Sequence, residues 1–140
     1  AELTAIHQYL LPAGLCKNWG YERLYEYYSH LANDEMQHSA GLVHHILYLD
    51  GTPEMERLES VTHGKDVVAL FRADLEFERE DVELLRPAIA HCATVNDFTT
   101  RHLLEHMLED TEGHIDWFET RLRTIDQVGL ERFLSEQIKK

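Results

Sequence analysis

Apolar positions recur every three or four residues along nearly all of this chain, and no stretch alternates like a strand. That period predicts long amphipathic helices. Over 21–49, Tyr28, Leu31, Glu35, His38, Leu42 and His45 share one face. Over 66–93 the stripe is Val67, Phe71, Leu75, Glu78, Val82, Leu85, Ile89 and Cys92. Over 97–126 it is Leu104, Leu108, Thr111, His114 or Ile115, Phe118, Leu122 and Ile125. Residues 1–18 read as a helix already under way, because Glu2, Ile6 and Tyr9 keep the period from the start. Residues 130–138 predict a short fifth helix. Asp50-Gly51-Thr52-Pro53 signals a turn, Asn96-Asp97 can cap a helix, and Gly129 can end one. Pro12 and Pro87 fall inside helical periods and predict local kinks. The link over 50–65 is long for a bundle connection and can run the height of a bundle, so helices two and three can be parallel. The expected architecture is all-α: one domain over 1–140, a four-helix bundle with a long crossover and a short C-terminal fifth helix.

Polar residues inside these stripes carry the chemistry. Glu35-x-x-His38 sets a carboxylate and an imidazole one turn apart on a core-facing stripe. Glu78 interrupts Leu75 and Val82, Glu2 precedes Ile6, and His114 follows Thr111 at the same spacing as His38 follows Glu35. A lone E-x-x-H is common on helix surfaces, where it is a solvated pair. Four helices each bringing a ligand-type residue to a core position is a different matter. Burying such groups unpaired costs several kcal/mol each. A metal pair would remove that cost, and oxygen donors with a few imidazoles suit iron or manganese. A purely structural bundle leaves the carboxylates unexplained.

Composition narrows the partners. The 26 acidic residues outnumber 13 basic ones, a formal charge of −13. That argues against nucleic acid and suits a protein that gathers cations, though a solvated acidic surface has the same composition. No apolar run approaches the ~20 residues a membrane span needs, and no secretory leader pattern opens the sequence. Cys16 and Cys92 show no C-x-x-C or zinc-finger spacing, which fits a reducing cytoplasm.

The strings ELTAIHQYLL, KNWGYERL, NDEMQH, ILYLDGTP, EGHIDWFET and GLERFLSEQI resemble bacterioferritin, within the ferritin-like superfamily, and they span nearly the whole chain. The resemblance implies a 24-subunit cage, homomeric or mixed, that oxidises Fe(II) with dioxygen or peroxide and stores ferric mineral. It implies that the first helix begins before Ala1. It also implies that Glu2, Glu35, His38, Glu78 and His114 are five of six di-iron ligands, with Tyr9 beside the centre and His30 an accessory iron site facing the cavity. The sixth position, a bridging glutamate in the family, falls on Thr111, a poor iron ligand. Asp110 and Glu112 flank it, but each is turned about 100° off the stripe. The expected result is a weaker second iron and slower oxidation.

Met36 matches the family's haem ligand. It lies about 100° from Glu35 around the helix and points away from the bundle centre. Two such thioethers across a twofold axis could hold one haem b iron at a dimer interface. Leu3, Ile6, His7 and Leu10 fall where the family lines that pocket, and Asn33 stands where an apolar residue is usual. The resemblance also implies a ferredoxin-type electron donor for iron release. Trp19 and Trp117 are expected to pack, and His44, His45, His102 and His106 to be solvated or at interfaces. Two readings of function compete: a full ferroxidase, and a haem-binding, ferroxidase-impaired subunit of a mixed cage whose partner subunit does the oxidation. A rubrerythrin-type peroxidase is disfavoured, because no rubredoxin-like C-x-x-C pair is present and both Met36 and the fifth-helix sequence are.

Overall fold

The computed structural model describes residues 2–51 and 64–138, with side chains from residue 8 onward. Four long helices and one short one follow in order: α1 (Glu2–Asn18), α2 (Glu22–Tyr48), α3 (Val67–Thr94), α4 (Phe98–Val128) and α5 (Leu130–Ser135). α1 packs along α2 and α3 along α4. The two pairs meet through α2 with α4 and α1 with α3, and α5 lies against α4. This is the four-helix bundle the hydrophobic period predicts. Both Pro12 and Pro87 lie inside α1 and α3, whose helical assignment continues past them.

The contacts fix the direction of the crossover. Tyr28 on α2 meets Phe71 and Asp74 on α3. Two turns further along both helices, Glu35 meets Glu78. The register rises together, so α2 and α3 run parallel. The link between them includes residues 52–63, which lie outside the described residues.

Helix ends follow the capping rules. Asp66 accepts from the Ala69 amide at 2.9 Å and starts α3. Asp97 accepts from the Thr100 amide at 3.2 Å and starts α4. Asn96 before it takes the left-handed conformation, with φ 59°. Gly129 ends α4 at φ 91°, a backbone state that suits glycine. α5 is shorter than the sequence predicts. It closes in turns after Ser135, and the Gln137 carbonyl accepts the Arg23 amide at 2.9 Å. That bond satisfies one of the orphan donors at the start of α2 and ties the C-terminal segment to it.

The core below the polar centre is aromatic. Tyr9, Tyr28, Phe71 and Phe118 are fully buried, and Phe133 of α5 closes the end by an edge contact to Phe71. Trp117 stacks on Tyr27 with ring centroids 3.7 Å apart and takes Arg121 over its face, so it packs, as expected. The stripe on α4 differs slightly from the prediction. Met107, Thr111, His114 and Phe118 are the buried set, and Leu104 and Leu108 flank it half-buried. The inward line is thus turned toward Met107, which brings Thr111 and His114 squarely inside.

Replacing Asp66 by alanine removes an N-cap and is expected to cost about 1 kcal/mol. Thermal unfolding should show a lowered midpoint with the helical signal of the native state unchanged.

Candidate metal centre

Glu35 from α2, Glu78 from α3 and His114 from α4 converge in the bundle interior, each offering a ligand atom within 4.8 Å of the others. All three are buried. Glu35 stands between two imidazoles. Its Oε2 is 3.3 Å from His38 Nδ1 and its Oε1 is 3.9 Å from His114 Nδ1. Glu78 Oε1 lies 3.2 Å from His114 Nδ1 and accepts the Tyr9 hydroxyl. Glu78 Oε2 is buried and has no hydrogen-bond partner among the described residues.

The two histidines are held alike. Each turns Nδ1 inward and offers Nε2 to an aspartate on another helix. His38 Nε2 is 2.7 Å from Asp110 Oδ2 on α4, and His114 Nε2 is 3.3 Å from Asp34 Oδ2 on α2. A carboxylate on the outer nitrogen fixes the ring tautomer and orientation and makes the inner nitrogen a better donor to a metal. Neither aspartate was expected from the sequence. Both sit one residue before their motif, as Asp34-Glu35-x-x-His38 and Asp110-Thr111-x-x-His114, and that repeated offset is the signal. Each is turned off its own stripe, and from there it reaches the histidine of the other helix. Asp110 is therefore no replacement for the missing ligand; it positions His38. Asp110→Ala should lower affinity for a divalent metal by about 10- to 100-fold, read by Co(II) titration. Unchanged affinity would mean that His38 holds its orientation without it.

The electrostatics describe a site short of positive charge. Burial pulls the His114 pKa down, but the hydrogen bond and charge of Glu78, helped by Asp34, outweigh it and leave it raised above the usual histidine value. The neighbouring carboxylates thus favour the charged form of His114. Tyr9 is fully buried, and burial, reinforced by Glu78 and Asp74, pushes its pKa well above the ordinary phenol value, so it remains a donor. Beneath the centre, Gln8 Nε2 donates to Asp74 Oδ1 at 2.8 Å and Tyr28 donates to Asp74 Oδ2 at 2.7 Å. Burial raises the Asp74 pKa to about 7 despite those two bonds.

The other sequence-predicted positions fall as follows. Thr111 is buried and donates to the Met107 carbonyl at 2.9 Å. The Glu2 side chain lies outside the described residues, as do Leu3, Ile6 and His7. His30 is 63% exposed with Nε2 3.4 Å from Asp34 Oδ2, so it stands at the outer edge of the same aspartate that holds His114. Met36 is 56% exposed, on the side of α2 away from the centre, and Leu10 on α1 is 53% exposed. Among the extra histidines, His45 Nε2 is 2.6 Å from Thr100 Oγ1 and His106 Nε2 is 3.7 Å from Asp110 Oδ2, while His44 and His102 are exposed.

The ferritin-like domain family matches residues 1–128 of the chain. A bacterioferritin of Mycolicibacterium paratuberculosis is 39% identical over 140 residues, covering 100% of this chain and 88% of its own. One from Streptomyces coelicolor is 40% identical, again over the whole chain and over 84% of its own length. A bacterial ferritin of Synechocystis is 35% identical over 98% of this chain and 88% of its own. The chain belongs to the bacterioferritins. Membership implies iron binding and supports iron storage as the function. The residues fit that metal on their own terms: Glu35, Glu78 and His114 are buried together, His38 lies against Glu35, and one carboxylate oxygen has no partner among the described residues. Among the described residues, no helix is long and apolar enough to cross a membrane.

Proposed function

We propose that this protein stores iron as a cytoplasmic subunit of a 24-subunit bacterioferritin cage. Glu35, His38, Glu78 and His114 hold iron inside the bundle, with Glu2 completing the set from α1. Iron bound there supplies the redox chemistry, one electron from each Fe(II) passing to dioxygen or peroxide. The protein's part is to fix the donors and to supply hydrogen bonds. Glu35 spans both imidazoles, Asp34 and Asp110 orient those rings, and Tyr9 donates to Glu78. His30 with Asp34 offers incoming or outgoing iron a stop at the edge of the centre. The surplus of acidic residues favours cation entry. The observation that carries this reading is the buried Glu78 Oε2, without a partner among the described residues, beside two more ligand-type groups within 4.8 Å. Aerobic loading with Fe(II) tests it. Iron retained by the assembled protein should fall sharply in His114→Ala, and equal retention would refute the site.

Haem b is the second cofactor of this reading, held by Met36 and its symmetry mate, with a ferredoxin-type protein delivering electrons for iron release. An exposed thioether directed away from the bundle supports it. Haem-reconstituted protein should show a Soret band that Met36→Leu abolishes. A band that survives the substitution would mean another ligand.

Thr111 favours a second reading, the ferroxidase-impaired subunit of a mixed cage. Its hydroxyl is engaged with Met107 and brings no charge to the centre. On that reading, stopped-flow Fe(II) oxidation by the pure homomer is slow and Thr111→Glu speeds it.

A further inference from the structure

We propose that Asp81 supplies the carboxylate that Thr111 lacks, so that the sixth ligand of the metal centre comes from α3 instead of α4. The proposal rests on the metal-binding reading above and adds to it a residue that no E-x-x-H motif contains.

Three observations carry it. Asp81 follows Glu78 by three residues, so the two lie one turn apart on neighbouring positions of the same helix face. Asp81 Oδ2 lies 3.3 Å from Thr111 Oγ1. Its carboxylate thus rests against the buried side chain from whose position a bridging glutamate would have reached in. Thirdly, Glu78 Oε2 is buried and has no partner among the described residues, an acceptor left for a cation on the α3 side of the centre.

The donor count closes on this exchange. Di-iron bundles of this architecture use four carboxylates and two histidines. Glu35, Glu78 and Asp81, with Glu2 from α1, restore four carboxylates beside His38 and His114. Helices α3 and α4 pack along each other, so a carboxylate can be moved across that contact without moving the metal. Aspartate is one methylene shorter than glutamate, and Asp81 begins on the helix that already carries Glu78. The exchange also accounts for the threonine. A glutamate at 111 would set two carboxylates against each other, whereas the Thr111 hydroxyl, shared between the Met107 carbonyl at 2.9 Å and Asp81 Oδ2 at 3.3 Å, is neutral and lets Asp81 lie against it. A carboxylate drawn in beside Glu78 is costly in an apo protein, since like charges raise one another's energy. A bound cation removes that penalty. An oxidation-competent site follows, against the impaired-subunit reading.

Anaerobic titration of the assembled, metal-free protein with Co(II), followed by its visible absorption and by calorimetry, tests the assignment. Wild type should bind two Co(II) per subunit at this centre. Asp81→Asn, nearly isosteric and still able to accept from Thr111, should bind the first as before and the second at least tenfold more weakly. Asp81→Asn with Thr111→Glu should recover the second, a rescue that a merely structural aspartate does not give. Two sites of unchanged affinity in Asp81→Asn would overturn the proposal, and so would a single site in the wild type. One site that Glu78→Gln abolishes would leave the metal centre standing without Asp81 as a ligand. No Co(II) bound by the wild type would overturn the metal centre itself, and the Asp81 assignment with it.

Discussion

Glu78→Gln is expected to abolish the stabilisation that Fe(II) or Co(II) gives the wild type while leaving the apo protein as stable as before, or more so. The two effects have opposite signs for one reason. The Glu78 carboxylate is 1% exposed, and among the described residues only its Oε1 is partnered, by Tyr9 and His114. Its Oε2 is desolvated and has no partner among those residues. A buried orphan acceptor costs about 1–3 kcal/mol, and more when it is charged. Glutamine keeps the shape, still accepts from Tyr9, and removes the charge. With metal present, that same oxygen becomes a ligand. A metal held at 100 times its dissociation constant stabilises the native state by about 2.7 kcal/mol. Thermal or urea unfolding with and without Co(II) should show that increment in the wild type and none in Glu78→Gln. An equal increment in both would mean that the metal binds elsewhere.

The second large effect is a pH dependence centred on Asp74. Burial, opposed by the bonds from Gln8 and Tyr28, raises its pKa from an ordinary 3.8 to about 7. The unfolded chain gives up this proton near pH 4, while the native state keeps it until near pH 7. Between those values the native state binds more protons than the unfolded state, so stability falls as pH rises. At 1.36 kcal/mol per pH unit, the loss from pH 5 to pH 8 is about 3 kcal/mol. Asp74→Asn removes the titration. Its amide can be accommodated, because Gln8 can turn its own amide to present oxygen in place of Nε2. Urea unfolding should find the variant gaining on the wild type by about 3 kcal/mol between pH 5 and pH 8. A constant difference across that range would mean that Asp74 titrates as a solvated carboxylate does.

Much of this was legible in the sequence because a helix imposes one period on everything it carries. Tyr28, Leu31, Glu35 and His38 keep step on α2, so the same count that finds the core finds two buried residues of ligand type. The same holds for Glu78 on α3 and for Thr111 and His114 on α4. What the period could not show is what lies just off the stripe. Asp34 and Asp110 are turned about 100° from their motif partners, and each reaches the histidine of a neighbouring helix. Contacts between helices depend on how the helices are set against each other, and no single helix encodes that. Asp81 escaped for the same reason: its relation to Thr111 exists only across the α3–α4 contact. Asp74 is hidden in the sequence for a different one. It precedes Glu78 by four residues and belongs to the buried line, but the adjacent Leu75 satisfied an apolar reading of that position. The fifth helix ran short because its last turn gives a carbonyl to Arg23, a partner more than a hundred positions away in the chain.

On the proposed function, the buried carboxylates and histidines of these helices form an iron centre. Crystals of the assembled protein soaked anaerobically in Fe(II), with diffraction recorded on both sides of the iron absorption edge, test it most directly. Two anomalous peaks per subunit are expected in the bundle interior, one among Glu35, Glu78 and His114 and one beside His38, with the Asp81 carboxylate facing them. No anomalous density among Glu35, Glu78 and His114 would contradict it.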